Sequence, residues 1–346
     1  MDLPVDAAFT KAFPKAELHA HLTGSISPAC LHEIWKTKAR FDLEDPLTAC
    51  RPKNAHHDIL SFFKLFDTYI YNLCNDRSTV AYTTAEVLKA FEEDGVRYLE
   101  LRTTPRESTV TGLTKEIYIE TVLDVINQHS SEVMSTYLIL SIDRRNTLEQ
   151  AMEIVHLAIK YQDRGIIGID LCGDPLKGDI SIFRPAFALA REKGLKITIH
   201  FAEVPESSTD TELRTLLSYE PDRLGHVINV APDIEAIIEE RKIGLELCLS
   251  CNVHAKLIEG GFANHHFRKW YRRGCPIALC TDDVVVFGSP LSNEYLLVSR
   301  YFGCSRRDLI ELSRRSSQML FSGEFERERL GKLIDRFQES IEHPRT

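Results

Sequence analysis

The sequence predicts a (β/α)8 barrel of the TIM type, and two observations carry that prediction. Apolar, β-branched runs that end in polar or glycine-containing turns recur eight times along the chain. Segments with helical spacing lie between these runs, so that strand and helix alternate. The predicted strands occupy residues 15–22, 96–104, 136–143, 166–173, 195–203, 223–229, 244–252 and 276–283. A doubly wound parallel sheet is the alternative for the same order of elements.

Two of the segments between the strands carry clear helix signals. Thr147 is suited to cap a helix over residues 148–163, and Thr114 is suited to cap a helix over residues 115–128. Apolar side chains recur on one face of both segments, as they do in helices that pack on a sheet. Both helices are therefore expected on the outside of the barrel.

Two longer segments extend this alternating pattern. Residues from about 23 to 95 contain further helical pattern, so we expect a helical lid inserted after the first strand. Residues 290–342 are rich in charge and helical in pattern, which predicts extra C-terminal helices. Because no Gly/Ser/Pro-rich linker separates these parts, residues 1–346 are expected to form a single barrel domain.

The composition restricts the partners of the protein. A net charge of −9 and a pI near 5.8 argue against binding of a nucleic-acid polymer, while a small ligand remains open. No run of about eighteen apolar residues is present, so no association with a membrane is expected. The nine cysteines are scattered and follow no secretory signal, which indicates reduced thiols. A cytoplasmic monomer is expected.

Polar residues collect at the ends of the predicted strands, which is where barrel enzymes carry their catalytic groups. His19 and His21 lie two residues apart on the first strand, so their side chains point to the same face. His200 ends the fifth strand and Asp282 ends the eighth. Three imidazoles and one carboxylate are a plausible ligand set for Zn²⁺, with water completing a catalytic site. We therefore predict one zinc ion bound by these four residues.

The remaining histidines are less informative. His156 lies in a polar helical context and is expected to be solvated. The pairs His56-His57 and His265-His266 fit either surface positions or loop contacts, and the sequence alone leaves both interpretations open.

Five short motifs follow one another from the first predicted strand to the eighth. They read Glu17-Leu18-His19-Ala20-His21-Leu22, Leu171-Cys172-Gly173-Asp174, His200-Phe201-Ala202-Glu203, Arg223-Leu224-Gly225-His226 and Cys280-Thr281-Asp282-Asp283. This ordered set resembles the adenosine deaminase family of zinc-dependent aminohydrolases over nearly the whole chain. A single His-x-His would also fit many other amidohydrolase barrels, so the order of the motifs gives the resemblance its specificity.

The resemblance implies a role for each matching residue. Glu203 would protonate a purine ring nitrogen, and His226 would act on the attacking water. Asp283 and Gly173 would bind the base, together with His21. Zinc lowers the pKa of a bound water towards about 7, which supplies the nucleophile for attack on the purine C6.

One position departs from the nucleoside deaminases of this family. Those enzymes have Asp where Thr23 stands here, and a carboxylate would repel a phosphate group. The hydroxyls of Thr23 and Ser25 are instead able to donate hydrogen bonds to phosphate. Lys64, Arg102 and Arg145 are further candidates for that contact.

Other local strings resemble the adenosine deaminase-like subgroup that acts on N6-methyl-AMP, in which Asn usually takes the place of Thr23. They include Leu245-Glu246-Leu247-Cys248-Leu249, Ser141-Ile142-Asp143-Arg144-Arg145, Glu203-Val204-Pro205 and Leu99-Glu100-Leu101-Arg102-Thr103-Thr104-Pro105. The resemblance thus implies that N6-methyl-AMP, together with related N6-substituted purine nucleotides, is hydrolysed to IMP and an amine. Two alternatives stay open: deamination of adenosine or adenine, and a non-catalytic purine-binding protein on the same barrel.

Overall fold

The computed structural model describes residues 3–50, 65–129 and 133–343 of the chain. Eight strands form one parallel sheet in which each strand pairs with the next along the chain. They are β1 (Lys15–His21), β2 (Val96–Thr103), β3 (Ser135–Asp143), β4 (Ile166–Cys172), β5 (Lys196–Phe201), β6 (Arg223–His226), β7 (Gly244–Leu247) and β8 (Ile277–Leu279). A bridge between Ala20 and Asp282 joins the two edges of the sheet. The predicted TIM barrel is confirmed, and the sequential strand order excludes the doubly wound alternative.

Helices cover the outside of the barrel and extend it at both ends. The helices before β2 are Ala7–Ala12, Pro28–Thr37, Pro46–Ala49, Tyr71–Leu73 and Arg77–Glu93, with a π-helical turn at Phe66–Ile70. Those between β2 and β8 are Lys115–His129, Leu148–Lys160, Arg184–Glu192, Asp210–Leu217, Pro232–Arg241, Leu249–His254 and Phe267–Arg272. Those after β8 are Val284–Phe287, Leu291–Phe302, Arg306–Ser316 and Glu324–Glu342.

The predicted helical insertion and the C-terminal helices are confirmed. Residues 51–64 of the insertion, which include His56-His57 and Lys64, lie outside the described residues. In the part of the chain that the structure describes, no helix combines the length and the apolar character needed to cross a membrane.

Both predicted helix starts have the expected caps. The Thr147 hydroxyl accepts a hydrogen bond from the backbone N–H of Gln150, whose side chain accepts one from the N–H of Thr147, which forms a capping box. Thr114 Oγ1 accepts a hydrogen bond from the N–H of Ile117 at 3.1 Å. The first of these helices ends at Lys160 rather than at residue 163 as predicted.

The last three strands are shorter than predicted. The backbone leaves the ladder at His226 and Val227, whose φ angles are +65° and +54°, and Asp282 has a φ of +62° after β8. Such left-handed conformations are sparsely populated for residues other than glycine and interrupt an extended strand. Strand β7 ends at Leu247, and Leu249–His254 is a helix rather than the predicted end of the strand. A short apolar run does not by itself distinguish these two structures.

Candidate metal centre and active site

The carboxyl ends of β1, β5 and β8 bring the four predicted metal ligands together. Nε2 of His200 lies 3.1 Å from Nε2 of His19 and 3.1 Å from Nε2 of His21. Oδ1 of Asp282 lies 3.4 Å from Nε2 of His19 and 3.3 Å from Nε2 of His21. Ligands of one tetrahedral zinc ion, with Zn–N bonds of about 2.0–2.1 Å, are about 3.3–3.4 Å apart. The four side chains therefore face one point at suitable separations.

The hydrogen bonds behind this cluster test whether a cation fits between the histidines. Nδ1 of His19 lies 2.7 Å from Oε2 of Glu246, and Nδ1 of His200 lies 3.1 Å from Oδ1 of Asp170 and 3.0 Å from the carbonyl of Leu171. Carboxylate and carbonyl oxygens accept, so both Nδ1 atoms carry a proton, and when the two rings are neutral both Nε2 atoms present lone pairs to each other. Two lone pairs at this distance repel unless a proton or a metal ion lies between them. The donor set fits Zn²⁺.

A buried arginine supports both of these carboxylates. The Arg102 guanidinium donates hydrogen bonds to Glu246 at 2.8 Å, to Asp170 at 3.2 Å and to the carbonyl of Leu18 at 2.6 Å. The Arg102 side chain is fully buried inside the barrel. It is therefore not available to a phosphate group, and that interpretation of Arg102 is wrong. Its charge instead compensates the two carboxylates that orient the histidines.

The absence of a side chain at Gly225, on β6, makes room for the imidazole ring of His19. A Cβ atom at this position would lie 2.7 Å from Cε1 and 3.0 Å from Nδ1 of His19.

Because Glu246 holds the His19 ring in the buried barrel, we expect Gly225→Ala to displace the ring and to weaken zinc binding by about 10–100-fold. Metal analysis of the dialysed variant measures this loss. Gly331→Ala, on a helix where an added Cβ meets no atom within 4 Å, is the matched control, and full zinc occupancy in Gly225→Ala would contradict the prediction.

A further histidine lies beside the predicted ligands. The residues whose ligand atoms all lie within 4.8 Å of one another are His19, His200, His226 and Asp282. Nε2 of His226 is 3.9 Å from Oδ2 of Asp282 and 3.9 Å from Oε1 of Glu203, and it has no hydrogen-bond partner among the described residues. Nε2 of His21 is closer to the same aspartate, at 3.3 Å. These distances favour His21 as the ligand and leave His226 facing the adjacent space.

Two carboxyl groups beside the cluster favour their protonated forms. Burial raises the pKa of Glu203 above its ordinary value against the opposing effect of His226, and the charge of Asp282 adds to the rise. Burial also holds the pKa of Asp283 well above its usual range, with further contributions from Asp282 and Glu203. Oδ1 of Asp283 has no hydrogen-bond partner among the residues described. Both carboxyl groups are thus suited to donate a proton or a hydrogen bond to a ligand.

Two glycines allow the chain to pack closely around these carboxyl groups. A Cβ atom on Gly24 would lie 1.4 Å from Oδ1 of Asp283, so only glycine fits while Asp283 keeps its position. Gly173 has a φ of +99°, and a Cβ atom there would lie 2.7 Å from Oδ1 of Asp143. The absence of side chains at both positions keeps the site open.

A cleft beside the metal cluster encloses about 740 Å³, including the part that is open to solvent. The predicted site residues that line it are His21, Thr23, Gly173, His200, Glu203, Asp282 and Asp283. Further lining residues are Phe66, Asp67, Tyr71, Thr103, Thr104, Arg106, Asp143, Arg145 and Cys172. Ser25 is not among them, because its buried hydroxyl donates to the carbonyl of His21 at 2.8 Å.

Arg106 is a lining residue that was not predicted from the sequence. It lies just beyond the end of β2, so its position after a strand was an available signal. Its guanidinium lies over the ring of Tyr71. Arg145 also lines the cleft, but it donates hydrogen bonds to both carboxylate oxygens of Asp143, at 2.9 Å and 2.7 Å.

Comparison with known proteins agrees with this geometry. The family model described as Adenosine deaminase matches residues 14–337. The chain belongs to the adenosine deaminase family. It is 36% identical to the N6-Methyl-AMP deaminase of Danio rerio over 352 residues, covering 99% of each chain. It is 34% identical to the N6-Methyl-AMP deaminase of Homo sapiens, covering 98% of each chain.

A solved structure supports the same family assignment. The crystal structure of Arabidopsis ADAL complexed with IMP has a TM-score of 0.88 and 36% identity, and the match covers 97% of this chain and 99% of that one. The family predicted from five ordered motifs is therefore confirmed, and these motifs lie at the carboxyl ends of β1, β4, β5, β6 and β8.

Proposed function

We propose that this protein is a zinc-dependent aminohydrolase that converts N6-methyl-AMP and water to IMP and methylamine. The observation that carries the activity is the cluster of three imidazole Nε2 atoms and the Asp282 carboxylate beside Glu203 and Asp283. Relatives named N6-Methyl-AMP deaminase align with nearly the whole chain, and a solved relative carries IMP, the nucleotide product of this reaction. These likenesses support the choice of substrate.

The side chains divide the chemistry between them. His19, His21, His200 and Asp282 would hold zinc, which when bound lowers the pKa of a water molecule towards about 7. Glu203 donates its proton to a ring nitrogen as the bond between C6 and the attacking oxygen forms, which prevents negative charge from accumulating on the purine.

His226 acts on the attacking oxygen. Its Nε2 lies 3.9 Å from Oε1 of Glu203 and has no hydrogen-bond partner among the described residues, so it is positioned to hydrogen-bond the attacking oxygen. The proton lost when water becomes hydroxide passes to solvent. The proton that remains on the oxygen then passes to the exocyclic nitrogen as the C6–N bond breaks, and Glu203 takes up a proton from solvent after the products leave. The products are the C6 carbonyl of IMP and neutral methylamine.

The base is recognised beside the metal centre. Asp283, whose raised pKa favours the protonated carboxyl, donates a hydrogen bond to a ring nitrogen that can only accept. Gly173 has no side chain, so the edge of the purine approaches the backbone at the end of β4. His21 lines the cleft as well as facing the metal cluster, and it contacts the purine base.

The phosphate group binds near the arginines of the cleft. Thr23 is neutral and lines the cleft, so no carboxylate at that position repels an anion. The charge of Arg145 is shared with Asp143. Arg106 has no carboxylate partner in the described parts of the chain and is the guanidinium available to a phosphate oxygen.

Replacement of Arg106 with Gln should impair hydrolysis of the nucleotide but not of the nucleoside. Loss of a charge-assisted hydrogen bond should lower kcat/KM for N6-methyl-AMP by roughly 10- to 100-fold, mainly through KM. The value for N6-methyladenosine should stay unchanged, because that compound has no phosphate. Arg307→Gln, at an exposed arginine outside the cleft, is the matched control. An equal loss for nucleotide and nucleoside would show that Arg106 does not contact the phosphate.

Product analysis tests the reaction itself. Zinc-loaded protein incubated with N6-methyl-AMP in H₂¹⁸O should release IMP and methylamine in equal amounts, with one ¹⁸O atom at C6 of the product. A protein that binds zinc and purine nucleotides but releases no amine from N6-methyl-AMP, AMP or adenosine would instead be a purine-binding protein.

A further inference from the structure

The pair formed by the buried His265 and the half-buried His266 makes contacts that the proposed chemistry does not explain. His265 is 2% exposed and its ring stacks on that of His266, with ring centroids 4.3 Å apart. Nε2 of His266 donates a hydrogen bond to the carbonyl of His226 at 2.6 Å, which holds the left-handed backbone of that residue. His266 therefore contacts His226 directly, and His265 packs against His266.

The hydrogen bonds of His265 determine which of its nitrogens carries the proton. The backbone N–H of Phe267 donates to Nδ1 of His265 at 3.0 Å. A backbone N–H only donates, so Nδ1 carries no proton and the neutral ring carries its single proton on Nε2. Burial lowers the pKa of His265 well below its usual range, in agreement with a neutral ring.

Asn252 lies between His265 and His226, so the position of the proton on His265 determines how the amide group of Asn252 is oriented. One atom of its amide group is 3.1 Å from Nε2 of His265, and the other is 3.0 Å from Nδ1 of His226. An amide nitrogen on the His265 side would set two N–H donors against each other. The amide must therefore be turned so that its oxygen accepts from His265, because the hydrogen-bond network decides which amide atom is oxygen. Its NH₂ group then donates to Nδ1 of His226.

We propose that His265 acts through Asn252 to fix the tautomer of His226, with Nδ1 accepting from Asn252 and the proton on Nε2. That proton points into the space 3.9 Å from Asp282 and 3.9 Å from Glu203, where Nε2 has no partner among the described residues. His226 thus donates a hydrogen bond to the oxygen that attacks C6 and does not remove a proton from it. His265 and Asn252 are positioning residues, and this inference rests on the proposed function.

Neutron diffraction from deuterated, zinc-loaded crystals tests the tautomer directly. The expected map has deuterium on Nε2 of His226 and on Nε2 of His265, with the ND₂ group of Asn252 facing His226. Deuterium on Nδ1 of His226 would overturn the proposal. This readout does not depend on turnover, so a failure to hydrolyse N6-methyl-AMP would overturn the proposed function and leave the tautomer to be decided by the map.

Two substitutions test the consequence for catalysis. Asn252→Asp has the same shape but only accepts, so it requires a proton on Nδ1 of His226 and should lower kcat by about 100-fold or more with zinc retained. Asn264→Asp adds the same charge at an exposed neighbouring residue and should leave kcat unchanged.

Substitutions of His265 provide the rescue test. His265→Gln keeps an N–H donor for Asn252 and should retain kcat within about tenfold, whereas His265→Leu should lose about as much as Asn252→Asp. Zinc content and Tm are measured for every variant. Normal kcat in Asn252→Asp, or equal losses in the Gln and Leu variants, would overturn the proposal.

Discussion

Glu203→Gln should keep zinc bound and lower kcat for N6-methyl-AMP by about 10²–10⁴-fold, the usual contribution of a positioned acid. The carboxamide has nearly the shape of the carboxyl group but does not transfer a proton to the purine ring. Glu203 is not one of the predicted metal ligands. Burial raises its pKa, which favours the protonated form that the reaction needs. Steady-state kinetics together with metal analysis separate the loss of the acid from a loss of zinc.

Glu206→Gln is the matched control for this substitution. Glu206 is exposed in the short helical turn Pro205–Ser207 that follows Glu203, and it does not line the cleft. The control should hydrolyse N6-methyl-AMP at the rate of the unchanged protein. If Glu203→Gln also kept a normal kcat, another group would have to protonate the ring, and the role of Glu203 would be wrong.

His200→Ala should remove both the metal and the activity. Nε2 of His200 is the atom that approaches both other imidazoles, at 3.1 Å each. Its loss takes away one ligand and leaves Asp170 without the histidine that it orients. We expect zinc affinity to fall by more than the ~10–100-fold that removal of an outer partner costs, and turnover to fall with it.

Metal analysis after dialysis, followed by an assay with added zinc, measures this effect. His156→Ala is the control, because His156 is exposed on the helix Leu148–Lys160 and does not line the cleft. It should bind zinc normally. A His200→Ala variant with full zinc occupancy and normal kcat would exclude His200 as a ligand.

Most of the fold and the centre of the site could be predicted because both depend on local patterns and on topology. Buried parallel strands give largely apolar runs such as Ile166–Cys172, which are visible in the sequence. In a barrel the carboxyl ends of all strands meet at one face, so residues as distant as His19 and Asp282 were expected to meet. In the structure, Nε2 of His19 lies 3.4 Å from Oδ1 of Asp282.

The roles of the basic residues could not be predicted in the same way. Arg102 ends a strand as a ligand-binding residue would, yet its partners Asp170 and Glu246 lie 68 and 144 residues further along the chain. Sequence spacing does not show which of two long-range partners, a buried carboxylate or a ligand, an arginine finds. Arg106 was missed for the related reason that its neighbour Tyr71 comes from the insertion.

Asn252 was hidden by an error of secondary structure. The apolar run around it reads as a strand, whereas it lies on the helix Leu249–His254 with its amide between two histidines. The neighbours of a polar residue at the end of a strand differ from those of a polar residue on a buried helix. The link from His265 to His226 could be found only once the helix was known.

The most direct test of the proposed function is a comparison of kcat/KM for N6-methyl-AMP, AMP and adenosine on the same zinc-loaded protein. We predict the highest value for N6-methyl-AMP, with IMP as the nucleotide product, and the lowest for adenosine, which lacks a phosphate group for Arg106 and Thr23. A higher kcat/KM for adenosine than for N6-methyl-AMP would contradict the assignment of a nucleotide substrate.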